Sequence, residues 1–414
     1  MSVDPVVAAA VAEAHRREWA FVLAATVRVT RDLSTAEECV QDAYAQALAT
    51  WPDRGIPARP GAWLTTVARR RALGLLRRDD VARRSLPLLI TGEATLGPGA
   101  ADPGEITDDR LRLIFTCCHP SLAAEAQAAL SLRLLCGLST AEIARVFLVS
   151  EPAMTARITR AKKKISAARI PYRVPPVAEL PERIRAALTV VYLLFTTGHS
   201  APAGAGLVRQ DLVERALDLA RMMRVVLPAE AEVAGLLALI LLTDARRATR
   251  VTGQGRLQLL ADQDRSRWDR AAIAEGLQLT GEAVRGGRPG RFTLMAAIAA
   301  VHADAPSWEA TDWRELVGLY DLLLQAWPSP VVALNRAVAV GFADGPAAGL
   351  AALDALSTDP QLATYRYLTA ARADLLRRLG RGADARLAYE EALILTENAV
   401  EREFLISRID QLGR

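Results

Sequence analysis

Apolar positions recur every three or four residues along most of this chain, which predicts helices nearly from end to end. The pattern is sharpest between Ser139 and Ile165. Ser139 with Glu142 three residues on forms a capping box, and Ile143, Ala144 and Phe147 give the helix it starts a buried face. Ser150 starts a second helix with Pro152 in its first turn, and Met154, Ile158, Ala161 and Ile165 make one apolar stripe. The opposite face is expected to carry Thr155, Arg157, Thr159, Arg160, Lys162 and Lys163. Two short helices joined by a tight turn, the second basic outside and apolar inside, fit a DNA major groove.

Two further amphipathic helices precede this pair. Ser34 and Glu37 read as another capping box, followed by a stripe of Val40, Tyr44, Ala47, Leu48 and Trp51. Glu37, Glu38, Gln41 and Asp42 are left on or near the exposed side as an acidic polar face. After the turn WPDRGIPARPG a helix begins near Ala62, with Trp63, Leu64, Val67, Ala68, Leu73 and Leu76 apolar and Arg69, Arg70, Arg71, Arg77 and Arg78 interleaved. Arginines beside a tryptophan suit melted DNA, because guanidinium groups pair with phosphates and aromatic faces stack on unpaired bases. Trp51 is expected in the core. Residues 91–107, rich in Gly and Pro and without apolar period, form a linker.

Beyond a proline-rich hinge at 171–181, helices are expected near 182–196, 207–226, 229–243, 255–264, 267–281 and 291–303. A second series near 312–326, 331–342, 346–356, 362–379, 383–395 and 399–412 pairs off, with Gly341 and Gly380 near turns. Ala347 to Leu353 is echoed by Ala385 to Leu393, and together with Tyr389 this resembles tetratricopeptide repeats.

Composition sharpens this picture. The chain has 414 residues, 51% hydrophobic and only 5% aromatic, which suits a soluble all-α protein of several domains. Its net charge of +4 hides an asymmetry. Residues 1–173 hold 24 Lys and Arg against 18 acids, and the remainder 27 against 29, so a nucleic acid would be met by the first part. Seven cations without an acid follow one another from Arg157 to Arg173, and all three lysines lie at 162–164. That run repels itself unless an anion faces it.

Four cysteines, two of them adjacent at Cys117 and Cys118, make no disulfide framework and suit a reducing cytoplasm. No signal peptide or apolar run long enough to span a bilayer is read, so no membrane is expected. Enzyme signatures are thin: the histidines His15, His119, His199 and His302 have no metal or triad spacing, and Gly380, Gly382 and Ala385 match G-x-G-x-x-A without a preceding strand. No catalytic residue, metal or cofactor is expected.

The order of these parts resembles bacterial extracytoplasmic-function sigma factors, group IV of the sigma-70 family. Asp32 to Tyr44 is similar to that family's D-x-x-x-A-E-D-x-x-Q-E-x-F helix, Ala62 to Ala72 to its A-W-L-x-x-I-A-R-N-x-A helix, and Leu138 to Ile165 to its region 4 segment. Leu194 to Ser200 and Ile114 to Pro120 resemble the subgroup with a C-terminal tetratricopeptide-like extension. The resemblance implies sigma region 2 at 8–86, a flexible linker at 87–109, a helix-turn-helix region 4 at 110–170, the hinge, a helical domain at 182–305 and repeats at 306–414.

It also implies roles. Glu37, Glu38, Gln41 and Asp42 would dock on the β′ clamp of core RNA polymerase. Arg59, Trp63, Thr66, Arg69, Arg70, Arg71 and Arg78 would open and hold the −10 promoter element. Ser150, Thr155, Arg157, Thr159, Arg160, Lys162 and Lys163 would read the −35 element, with region 4 against the β flap. Arg70 replaces the family's usual Asn, and Thr155 and Ala156 its usual Lys/Arg and Ser, so the promoter sequence differs from that of better-known members. The extension would regulate activity and carry a protein partner. The competing expectation is a helix-turn-helix regulator with a C-terminal sensor that never joins polymerase; it needs neither the acidic helix nor the Arg/Trp helix.

Overall fold

The computed structural model describes residues 4–84 and 109–413 apart from 148, 177, 201, 202 and 205. The linker expected at 87–109 therefore lies outside the described residues except for Asp109. The all-α class is observed: eighteen α-helices and one parallel pair of two-residue strands occur among the described residues. None of these helices is long and apolar enough to cross a membrane. Contacts divide the chain into two compact units, one ending at Val190 and the other beginning at Val191.

In the first unit, α1 (Pro5–Thr30), α2 (Leu33–Arg54) and α3 (Pro60–Arg84) pack on one another. Asp4 and Asp32 are the N-caps of α1 and α2, the latter accepting from the Thr35 amide at 2.7 Å. The capping box expected from Ser34 and Glu37 therefore does not form, because the helix starts two residues earlier. Fully buried alanines, among them Ala36, Ala43, Ala47, Ala68 and Ala72, let the three backbones approach closely. The buried row of α3 is Leu64, Ala68 and Ala72, whereas Leu73, expected inside, is exposed.

Four helices follow: α4 (Asp109–Cys117), α5 (Ala124–Leu134), α6 (Thr140–Val146) and α7 (Glu151–Ala167). The turn between α5 and α6 is tucked against α1. Gly137 has φ of +69°, and a Cβ there would lie 2.6 Å from the His15 ring and 3.0 Å from that of Trp19. The Trp19 indole donates to the Leu134 carbonyl at 3.1 Å. The segment 171–181 belongs to this unit and does not end it: the Tyr172 hydroxyl lies 3.0 Å from the carbonyl oxygens of Ala24 and Asp109. In α8 (Leu180–His199) the buried Arg183 donates to the Phe115 carbonyl, and burial pulls its guanidinium below the usual range. The four cysteines are buried and form no disulfide among the described residues, and burial pushes the Cys118 thiol up to about 11.

The second unit is built around α10 (Ala231–Asp244), between α9 (Gln210–Val226), α11 (Arg270–Arg285) and α12 (Arg291–Asp304). Residues Val233 to Leu242 are all buried, as a helix apolar on every side requires. Glu232 caps α12, accepting from the Phe292 and Thr293 amides at 2.8 and 3.0 Å. The helix expected at 255–264 is absent. Gly255, with φ of +82°, closes a turn that pairs Val251 with Leu257, and short 3-10 turns follow at Leu260–Asp262 and Arg265–Arg267.

The helices α13 (Trp313–Ala326), α14 (Pro330–Ala343), α15 (Pro346–Asp354), α16 (Arg366–Arg378), α17 (Gly382–Ile394) and α18 (Ala399–Leu412) each pack on the next. Their core joins Leu334, Leu353, Ala373, Leu376, Ala385 and Tyr389. Gly380, at φ of +74°, lies in the turn between α16 and α17, so the G-x-G-x-x-A match is a helix-to-helix turn. Gly341 lies inside α14, where that helix crosses α15 at Gly349.

A Cβ on Gly349 would meet the Gly341 Cα at 2.6 Å, which only backbone movement relieves. Gly349→Ala is therefore expected to cost about 2 kcal/mol of stability. Gly382→Ala, with nothing within 4 Å, serves as a neutral or slightly stabilising control. Denaturant unfolding of both variants checks the difference, and equal midpoints would dismiss the close crossing.

Candidate nucleic-acid interface

Local sequence sets the geometry of the α6–α7 pair. Ser139 and Glu142 cap reciprocally, the Glu142 carboxylate accepting from the Ser139 amide at 2.7 Å and the Glu142 amide donating to the Ser139 hydroxyl at 3.2 Å. Ser150 caps α7 through the Ala153 amide, and Met154, Ile158, Ala161 and Ile165 are buried as their spacing requires. Thr155, Thr159, Arg160 and Lys163 lie exposed on the other side, along a hollow of about 590 Å³ that Glu151, Pro152 and Ala156 complete. Arg157 is half-buried, its guanidinium 5.7 Å from the Phe147 ring centre.

Lys162 departs from the expected face. It is four residues after Ile158 and three before Ile165, on the flank of the buried stripe. There its ammonium lies 2.5 Å from the carboxylate of Glu37, whose other oxygen is paired with Arg133 of α5. Glu37, expected on the exposed acidic face of α2, is only 4% exposed. Its position next to Ala36 and Val40 turns it inward, and two cations from the 109–167 segment compensate its charge. Neither Glu37 nor Lys162 is therefore free for an external partner in this arrangement. Arg133 was missed from sequence, although an arginine within the apolar run Ala129 to Leu135 was a signal that an acid must meet it.

The rest of the acidic face divides. Glu38 and Gln41 are exposed, and Asp42 is half-buried beside α3, 2.9 Å from Arg71. Asp42, Gln46, Arg70, Arg71 and Arg78 line a hollow of about 550 Å³ between α2 and α3. Two groups expected to serve different partners thus meet in one exposed ion pair, worth about 0–1 kcal/mol. Arg59, Thr66, Arg69, Arg70, Arg71 and Arg78 are exposed. Trp63 is half-buried with its ring edge-on to the buried Trp51 at 5.6 Å, so Trp51 is core and Trp63 is held by it. Chemically, this unit offers two arginine- and lysine-bearing helical surfaces, suited to phosphates and base edges. No cluster of three or more metal-ligating side chains occurs among the described residues.

Residues 15–81 match the family model described as Sigma-70 region 2, and residues 112–165 the one described as Sigma-70, region 4. Residues 183–284 match a family of unknown function, DUF6596. An uncharacterized protein of Rhizobium meliloti (strain 1021) is 42% identical over 400 residues, spanning 94% of this chain and 93% of that protein. No solved structure matches the chain.

The Glu37 pairing sets an expectation. Glu37→Ala leaves Arg133 and Lys162 facing each other without a counter-charge, and should cost about 3 kcal/mol of protection in α5 and α7 by amide hydrogen exchange. Lys162→Ala leaves Glu37 paired with Arg133, and should cost about 1 kcal/mol. Equal, small losses in both variants would show that the carboxylate does not hold these helices.

Proposed function

We propose that the chain, which carries matches to sigma-70 regions 2 and 4, is a sigma-70 family sigma factor of the extracytoplasmic-function group whose C-terminal extension regulates initiation. Promoter recognition follows from regions 2 and 4. The observation that carries the finer reading is the pair of exposed cationic surfaces on α3 and α7, set on separate helical modules. In this reading Arg59, Trp63, Thr66, Arg69, Arg70, Arg71 and Arg78 capture the −10 element. Thr155, Arg157, Thr159, Arg160 and Lys163 read the −35 element, with Ser150 fixing the start of their helix. Glu38, Gln41 and Asp42 meet the β′ clamp, and region 4 the β flap. Lys162 joins the DNA set only after releasing Glu37.

The group assignment is supported by the short distance between the two matched regions, with only residues 82–111 between them. A tetratricopeptide-like character for the extension is supported by sequential packing of α13 to α18, the tight Gly341–Gly349 crossing and the buried Tyr389. The extension begins within α8, because Arg183 and Tyr172 tie the residues before Val190 to the first unit.

Affinity of the polymerase complex for a promoter duplex selected from genomic fragments tests the DNA faces. Arg160→Ala should weaken binding by about 1–3 kcal/mol for a base contact, and Lys163→Ala by less, with a salt slope smaller by about one. Trp63→Ala and Arg69→Ala should lower permanganate reactivity of −10 thymines on closed duplex more than on a pre-opened bubble. Unchanged binding in the α7 variants, or equal losses on both templates, would dismiss the assignment. For regulation, a fragment ending at Val190 should initiate at a level different from the full chain; equal activity and signal response would make the extension an appendage.

A further inference from the structure

The second unit contains a partly open cavity of about 1140 Å³, at the upper end of the size of small-molecule sites. Three alternate helices line it at helical spacing. α14 contributes Leu334, Val338 and Phe342; α16 contributes Tyr367, Ala371, Asp374 and Arg378; α18 contributes Glu401, Phe404 and Arg408. A stack of helices in sequence order would leave such a face as an open groove. Here the segment Leu257–Asp262, the last turn of α8 and Trp308 also line it, which makes it a pocket for a compact molecule in place of a long chain segment.

Its lining is aromatic and its cations are unequally matched. Arg366 pairs with Glu401 at 3.0 Å, and the Tyr367 hydroxyl donates to the same carboxylate at 2.7 Å. Arg377 pairs with Asp374 at 2.7 Å. Arg378 and Arg408 form no ion pair among the described residues. The Arg378 guanidinium stacks 4.2 Å over the Phe342 ring and donates to the Gly341 carbonyl at 3.0 Å, and its Nη1 is buried without a hydrogen-bond partner. Arg408 lies 5.0 Å over the Phe404 ring and donates to the Gln411 side-chain amide oxygen at 3.2 Å. These two cations outnumber the other lining carboxylate, Asp262. His199 stays neutral, held down to about 2 by burial and by the guanidinium groups of Arg250, Arg246 and Arg247, and so adds no charge. Two arginines laid on aromatic rings, without acids of their own, match an anionic group attached to an apolar ring.

We propose that this cavity is a binding site for a small organic anion with an aromatic or otherwise apolar body, its acidic group held by Arg378 and Arg408 and its body among Phe342, Tyr367 and Phe404. The site stands on the second unit alone and does not depend on the sigma-factor reading.

The full chain tests it with two fluorescent probes of nearly equal shape, anionic 1-anilinonaphthalene-8-sulfonate and uncharged N-phenyl-1-naphthylamine. The anionic probe should bind saturably at one site per chain and more tightly than the neutral one. Arg378→Gln and Arg408→Gln should each weaken the anionic probe about tenfold and the neutral probe by less than about threefold. Ala371→Trp, which fills the cavity, should abolish both, and an unchanged thermal transition shows each variant folded. Arg408→Gln keeps the test informative if Arg378→Gln unfolds. Unsaturable binding, equal affinity for the two probes, or affinities unmoved by Arg408→Gln and Ala371→Trp would overturn the proposal.

Discussion

The carboxylate of Glu37 is the constraint on which the first unit turns. It sits at the junction of α2 with α5 and α7, and it brings a lysine and an arginine from region 4 into contact with region 2. Buried charge is costly unless compensated, so this contact fixes one register between the two regions more than it adds stability. Around it the apolar part of the junction closes: Trp19 donates to the Leu134 carbonyl, and Gly137 leaves room for the His15 and Trp19 rings. Removing the acid would leave two cations with no partner, while the apolar contacts remain.

This arrangement assigns different work to residues that look alike in the chain. Lys162, Lys163 and Lys164 are consecutive, yet Lys162 meets Glu37, Lys164 donates to the Ser121 carbonyl, and Lys163 remains exposed with Arg160. A hundred degrees of helix rotation per residue separates an internal tie from an outward cation. The same holds in α2, where Glu37 turns inward and Glu38 outward. In the proposed reading, a partner that used Glu37 or Lys162 would have to compete with this interaction inside the protein.

Much of this was legible in the sequence, for physical reasons that differ by element. The α6–α7 pair was readable because its caps and its apolar stripe are local signals, and Ser139, Glu142, Ser150 and Met154 act where spacing put them. The inward turn of Glu37 was not, since the Ser34–Glu37 spacing imitates a capping box and the cations that hold Glu37 lie about a hundred residues or more away. Helix α10 was readable from its apolar run, whereas 255–264 was misread because the apolar residues around Leu257 and Leu260 follow a glycine turn. The proline-rich stretch looked like a boundary, but Tyr172 and Arg183 hydrogen-bond back across it, and such long-range bonds leave no periodic trace. The cavity among α14, α16 and α18 was likewise invisible, because it depends on which alternate helices share a face.

In the proposed reading, two cationic helical surfaces act together, as parts of a sigma factor, to start transcription at promoters. Transcription in vitro from genomic fragments, using core RNA polymerase with and without the full chain, decides between this role and DNA binding alone. Defined transcripts that appear only when the chain is present, each with a fixed start site, are the predicted result. Binding of the chain to the same fragments without polymerase, with no chain-dependent transcript from any of them, would contradict it and leave a helix-turn-helix regulator in its place.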